Sequence, residues 1–186
     1  MAKRVAGQGA AGKEGAGQEE AGRDAVQGVI EQWRQECPEL DFSPIGVVGR
    51  VMRLSRLWDK EIKSFLAEHG LEPGEFDVLS TLRRSGEPYE LTAKTFLKAS
   101  LVTTGAITLR VDRMAAKGLV TRVPDAVDRR SVKIRLTPEG LETIDRLLPL
   151  HLANEARLLA ALDAADRTHL AATLATMLNS QGDTAR

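Results

Sequence analysis

A single cysteine, Cys37, in 186 residues excludes an intrachain disulfide framework and points to a reducing compartment, the cytoplasm. The three histidines, His69, His151 and His169, lie far apart and show no metal-ligand spacing, so neither a metal nor a cofactor is expected. Aromatic residues make up only 4%. The core must therefore be built from Leu, Val, Ile and Ala, which favours helices. No apolar run approaches the roughly 18 residues of a membrane span. The N-terminus has two basic residues with no apolar block behind them, so it is not a secretory signal. Catalytic signatures are missing as well: there is no HExxH, no GxSxG and no P-loop. The expectation is a non-enzyme that does not engage a membrane.

Net charge is also absent, with 26 basic against 26 acidic residues, but the average hides an asymmetry. Residues 91–135 hold ten bases (Lys94, Lys98, Arg110, Arg113, Lys117, Arg122, Arg129, Arg130, Lys133, Arg135) and three acids (Asp112, Asp125, Asp128), a local excess of +7. Such a block suggests a surface facing a polyanion; its plain alternative is a solvated helix face. A DNA-compacting protein would be expected to be basic overall, which this chain is not.

What is present reads as helices around a short hairpin. Residues 1–23 contain six Gly and six Ala, with Val5 the only larger aliphatic, too little apolar surface to offset ordering entropy. They are expected to be a disordered tail, and residues 181–186 are read as a second tail. The stretch Gly7–Gly12 formally matches a dinucleotide fingerprint but lacks the flanking strand and helix that the motif needs. Asp24, with Gln27 completing a capping box, opens a short helix whose face carries Val26, Val29, Ile30 and Trp33. A longer one follows over about 45–69, with Val47, Val51, Leu54, Trp58, Ile62 and Phe65 in its stripe; Trp58 reads as core. Pro73 starts a third helix.

Thr92 caps a helix ending near Ala99. Thr103 caps the next, which turns Ile107, Val111 and Met114 inward and closes at Gly118. Strands are expected at 119–123 and 131–136, with Val132, Ile134 and Leu136 alternating against polar neighbours. Thr137-Pro138 starts a helix to about Leu162, bent at Pro149, and Asp163 caps the last. Helix, helix, tight turn, helix and a basic two-stranded hairpin make a winged helix-turn-helix. In that reading Thr103–Lys117 is the recognition helix. Thr103, Thr104, Gly105, Thr108 and Arg113 are its DNA-contacting candidates, and Arg129 and Arg130 form the wing tip.

The segments DRMAAKGLVTR, DAVDRR and RLTPEG within 101–140, at their mutual spacing, resemble the winged-helix core of MarR-family transcriptional regulators. The resemblance implies a mainly α fold with a small two-stranded β-wing. A MarR-type domain would cover 24–180, with 24–70 and 138–180 as dimerisation helices and 71–137 as the winged helix-turn-helix. It implies a homodimer on a pseudo-palindromic, double-stranded operator, acting as a repressor that a small ligand releases. Leu141, Ile144, Leu148, Leu152, Leu159 and Leu162 exceed what a small winged helix can cover, which fits a dimer.

The chain is further similar to the family's urate-responsive branch. The matching positions are Trp33 in VIEQWRQECPELD, Asp77 in FDVLSTLRRSG, Arg110 in TLRVDRM and Arg122 in GLVTR, which the resemblance makes the site of a urate-like anion. The alternatives are a redox sensor acting through Cys37 and a purine- or anion-binding enzyme. Glu36 and Glu39 beside Cys37 would raise rather than lower its thiol pKa, which favours an inert cysteine.

Overall fold

The computed structural model describes residues 23–99, 107–125 and 131–183. Two compact units divide the chain between Leu57 and Trp58.

In the first unit, α1 (Ala25–Glu36) starts at Asp24, whose carboxylate accepts from the backbone N–H of Val26 and Gln27. The capping box is only half formed, because the Gln27 amide donates to Glu31 at 2.9 Å instead of returning to the cap. Asp24 also accepts from Arg50 Nε at 2.6 Å, so one carboxylate both starts α1 and fastens it to α2 (Ser43–Glu68). Val26, Ile30 and Phe42 form a small core, with Cys37 and Ile45 packed on it. The predicted apolar face is thus only half buried: Val29 and Trp33 stay exposed, as do Val47, Val51 and Leu54 on α2.

In the second unit, α3 (Pro73–Arg84) begins with proline at its first position and is sealed by Glu75, whose carboxylate accepts the Glu72 N–H at 3.0 Å. Next come β1 (Glu90–Thr92), α4 (Ala93–Ala99), α5 (Ile107–Ala116), β2 (Val120–Pro124) and β3 (Val132–Leu136). Thr92 Oγ1 accepts the Thr95 N–H at 3.1 Å, the expected cap of α4. The proposed Thr103 cap lies outside the described residues.

The sheet is three-stranded and antiparallel, ordered β1-β3-β2. Leu91 pairs with Ile134, and Arg122 pairs with the same residue from the other side. The sequence predicts two strands; β1 adds a third, too short to show an alternation. Ile134 and Leu136 are buried as expected, whereas Val132 at the wing's outer end is exposed.

The last two helices are α6 (Pro138–Leu158), with Pro149 inside it, and α7 (Ala164–Ser180), capped by Asp163 accepting from the Asp166 N–H. The core of this unit unites Leu66, Val78, Leu79, Leu82, Phe96, Val111, Met114, Ile134, Ile144 and Leu147. Ile144 therefore belongs to the chain's own core, and of the six apolar residues expected to need a partner it is fully covered already. The TPEG segment closes the wing. Thr137 Oγ1 accepts from the Gly140 N–H and itself donates to the Gly118 carbonyl at 2.6 Å. A Cβ at position 140 would overlap the Leu119 carbonyl oxygen, so only glycine lets α6 start this close to the end of the α5–β2 turn. Among the described residues no helix is long and apolar enough to cross a membrane.

Candidate DNA interface and effector site

Helix α5 is held on two adjacent faces, about 100° apart. Val111 and Met114 enter the core. Arg110, Arg113 and Lys117, at i, i+3 and i+7, form a basic stripe along one side. Its counterpart is the first turn of α3 and the residues before it. Arg113 Nη1 lies 3.4 Å from Glu72 Oε1. Lys117 Nζ lies 2.8 Å from Glu75 Oε2 and donates to the Gly70 carbonyl at 3.1 Å. The Arg110 guanidinium rests directly on Gly74, where any Cβ would overlap it. Asp112, offset by about 200° from Arg110, points elsewhere and pairs with Arg122 Nη1 of β2 at 2.6 Å; Arg122 Nη2 also donates to the Thr108 carbonyl at 3.5 Å.

These pairings redistribute the basic block. On the wing, Glu90 of β1 accepts from Arg135 Nε at 2.6 Å and Lys133 Nζ at 3.1 Å across the β1–β3 pair. Hydrogen bonds from Arg135 and then Lys133 hold the Glu90 carboxyl below its ordinary value, and the bond to Glu90 holds the Lys133 ammonium above its own. Among the described residues, five of the bases between 91 and 135 are thus paired with acids: Arg113, Lys117, Arg122, Lys133 and Arg135. Three of the acids, Glu72, Glu75 and Glu90, lie outside the window that gave the +7 excess.

The expected site residues separate into groups. Thr103, Thr104, Gly105, Arg129 and Arg130 lie outside the described residues. Thr108 is exposed near the start of α5. Arg113 faces Glu72. Trp33 belongs to the first unit; it is 48% exposed and stacks on Phe42 with ring centroids 6.0 Å apart. Asp77 is only 7% exposed, so it is not a solvated acid on the surface of α3. It follows Gly74 by one helical turn, on the side of α3 that carries the Arg110 guanidinium. Arg110 Nε is buried and meets no hydrogen-bond acceptor. The structure therefore brings Arg110 to the helix turn that holds Asp77, and it takes Arg122 to Asp112 on another side of α5. Cys37 is half-buried; its backbone N–H donates to the Trp33 carbonyl at 2.8 Å, closing α1.

The family model of the MarR family matches residues 69–131, from the end of α2 to the wing. The HTH-type transcriptional regulator PecS of Dickeya dadantii is 38% identical over 149 residues, 80% of this chain and 90% of PecS. This chain belongs to the MarR family. AbsC, a MarR family transcriptional regulator from Streptomyces coelicolor, superimposes with a TM-score of 0.69 over 78% of this chain and 98% of AbsC, at 23% identity. Bordetella bronchiseptica BpsR, whose DNA binding is regulated by 6-hydroxynicotinic acid, does so with a TM-score of 0.63 at 22% identity, over 70% of this chain and 91% of BpsR. The MarR-family regulator is a DNA-binding transcription factor with a winged-helix fold, and its relatives are regulators rather than enzymes.

Sequence reasoning missed Glu72, Gly74, Glu75 and Glu90. A signal for the first three was present in Glu72-Pro73-Gly74-Glu75: a first-turn proline, a residue without a side chain, and two acids at a helix start.

Proposed function

We propose that this chain is a cytoplasmic repressor whose operator is released by a small planar anion of the urate or aromatic-carboxylate type. The observation that carries the proposal is the Arg110 guanidinium, which lies against the first turn of α3 with a buried Nε that has no acceptor. A helix N-terminus carries positive potential and attracts anions, not cations. A buried donor left without a partner costs about 1–3 kcal/mol. An anionic oxygen at this place relieves both. The buried Asp77 carboxylate, one turn along, is the group assigned as the charge sensor of the switch. Because Arg110 sits on α5, the anion acts on the recognition helix itself.

BpsR responds to a planar hydroxylated carboxylic acid, which supports this class of ligand here. Trp33 enters the proposal through the sequence resemblance to the urate-responsive branch alone.

A second copy is proposed as the cover for the apolar surface. Val47, Val51 and Leu54 of α2 are exposed, as are Leu148 and Leu152 of α6, and none of the 17 residues of α7 is buried. A helix with no buried face needs a partner. Sedimentation at micromolar concentration should give twice 20.2 kDa; a stable monomer overturns this part. The dimer would set its two recognition helices ~34 Å apart, in successive major grooves.

The functional test is release of a fluorescent operator duplex on titration with urate, xanthine and 6-hydroxynicotinate. At least one anion should weaken operator binding 10- to 100-fold, or about 1.4–2.8 kcal/mol of coupling. Asp77→Asn and Trp33→Phe should keep DNA binding and respond weakly. If both variants release the duplex at the parent's anion concentration, the effector acts elsewhere.

A further inference from the structure

The basic stripe on α5 is not uniform, and its C-terminal end is built differently from the rest. Glu75 is 1% exposed, an expensive position for a carboxylate unless it is fully partnered. Its Oε2 receives the Glu72 backbone N–H at 3.0 Å and the Lys117 ammonium at 2.8 Å. The same ammonium donates to the Gly70 carbonyl at 3.1 Å. Glu75 Oε2 and the Lys117 ammonium together therefore join three pieces of backbone: the turn after α2, the start of α3 and the turn that ends α5. The pair is separated by 42 positions in the chain, so it contributes nothing to either helix alone. It fixes where one end of α5 stands relative to α3. The middle of the stripe is looser, with a 3.4 Å Arg113–Glu72 contact between half-exposed side chains, and Arg110 has the unfilled Nε.

We infer that Glu75 is a positioning residue for DNA recognition: through Lys117 it pins the C-terminal end of the recognition helix and so sets the angle at which its N-terminal turn meets bases. Glu75 is buried and the Lys117 ammonium is turned to it, so the role inferred for them is one of placement. Their contribution is to discrimination between sequences, because bidentate base contacts are lost by small misplacements whereas phosphate contacts tolerate them.

The experiment uses the full chain and two duplexes: the tightest binder that the parent selects from a random library, and an unrelated duplex of equal length. Glu75→Gln keeps an acceptor for the Glu72 N–H and removes the charge; Lys117→Met keeps the stem and removes the ammonium. Each should lower the affinity ratio of the two duplexes about tenfold, and the double variant should lower it no further, since both changes break one link. Binding to the unrelated duplex, and the salt dependence of that binding, should match the parent, and thermal melting verifies that each variant is folded. If a folded Lys117→Met retains the parent's ratio, or if the two losses multiply in the double variant, the inference is overturned. Effector is absent throughout, so failure here is separate from failure of the anion proposal.

Discussion

Pairing within the protein should govern how operator binding depends on salt. Each phosphate neutralised by a Lys or Arg contributes about −0.9 to the slope of log K against log salt. If all ten bases of residues 91–135 faced DNA in both copies of a dimer, the slope would be about −18. Five of them are paired with acids, and Arg110 is turned to α3. At most the four other bases of this block can add to the slope, so its contribution is no steeper than about −7. Two substitutions separate the cases. Arg130→Ala at the wing tip should flatten the slope by about 1.8 for two copies, so that raising salt from 50 to 200 mM costs it about 12-fold less affinity than it costs the parent. Arg135→Gln removes the same formal charge from the same hairpin but breaks a pair with Glu90, and its slope should equal the parent's. Fluorescence anisotropy at four or five salt concentrations gives both numbers. A parent slope near −18, or equal flattening by the two variants, would refute the pairing argument.

Further outcomes concern the wing and the α6 start. Arg135 and Lys133 hold the Glu90 carboxyl below its ordinary value of 4.5. The stability this brings is therefore fully present above pH 4.5 and is lost as pH falls through the lower folded value. Lys133 is raised above 10.5, so its share is present below pH 10.5 and is lost as pH rises through the folded value. Melting curves should show Glu90→Gln below the parent at pH 7 and converging with it in acid; a gap constant from pH 7 to pH 2 contradicts the ion-pair reading. Gly140→Ala should cost about 2–3 kcal/mol, a fall of roughly 5–10 °C in Tm, because the added methyl meets the rigid Leu119 carbonyl; an unchanged Tm would mean that α6 can shift freely.

The parts of this structure that could be read in advance are the short-range ones. Asp24, Thr92, Thr137 and Asp163 cap helices because a side-chain oxygen reaches an amide two or three residues away. Val111 and Met114 are buried because helical periodicity puts them on one face. Charge pairing was not legible. Glu90 and Arg135 are 45 positions apart and Glu75 and Lys117 are 42 apart, so counting charges in a sequence window overstated the free positive surface. Strand β1 was missed because three residues carry no readable alternation. Its pairing with β3, which places Glu90 opposite Arg135, is a tertiary property. Of the expected effector residues, Arg110 rests on Gly74, one turn before Asp77, whereas Arg122 lies with Asp112 because positions 110 and 112 point to different sides of a helix.

Arg110 as the effector's cation is tested most directly by calorimetry without DNA. The anion that releases the operator most strongly is titrated into the parent and into Arg110→Met, which keeps an unbranched stem and removes the guanidinium that rests on Gly74. The variant should bind at least tenfold more weakly, a loss of about 1.4 kcal/mol or more for one charge-assisted pair. Equal affinity in the two proteins would contradict the placement of the anion on the recognition helix.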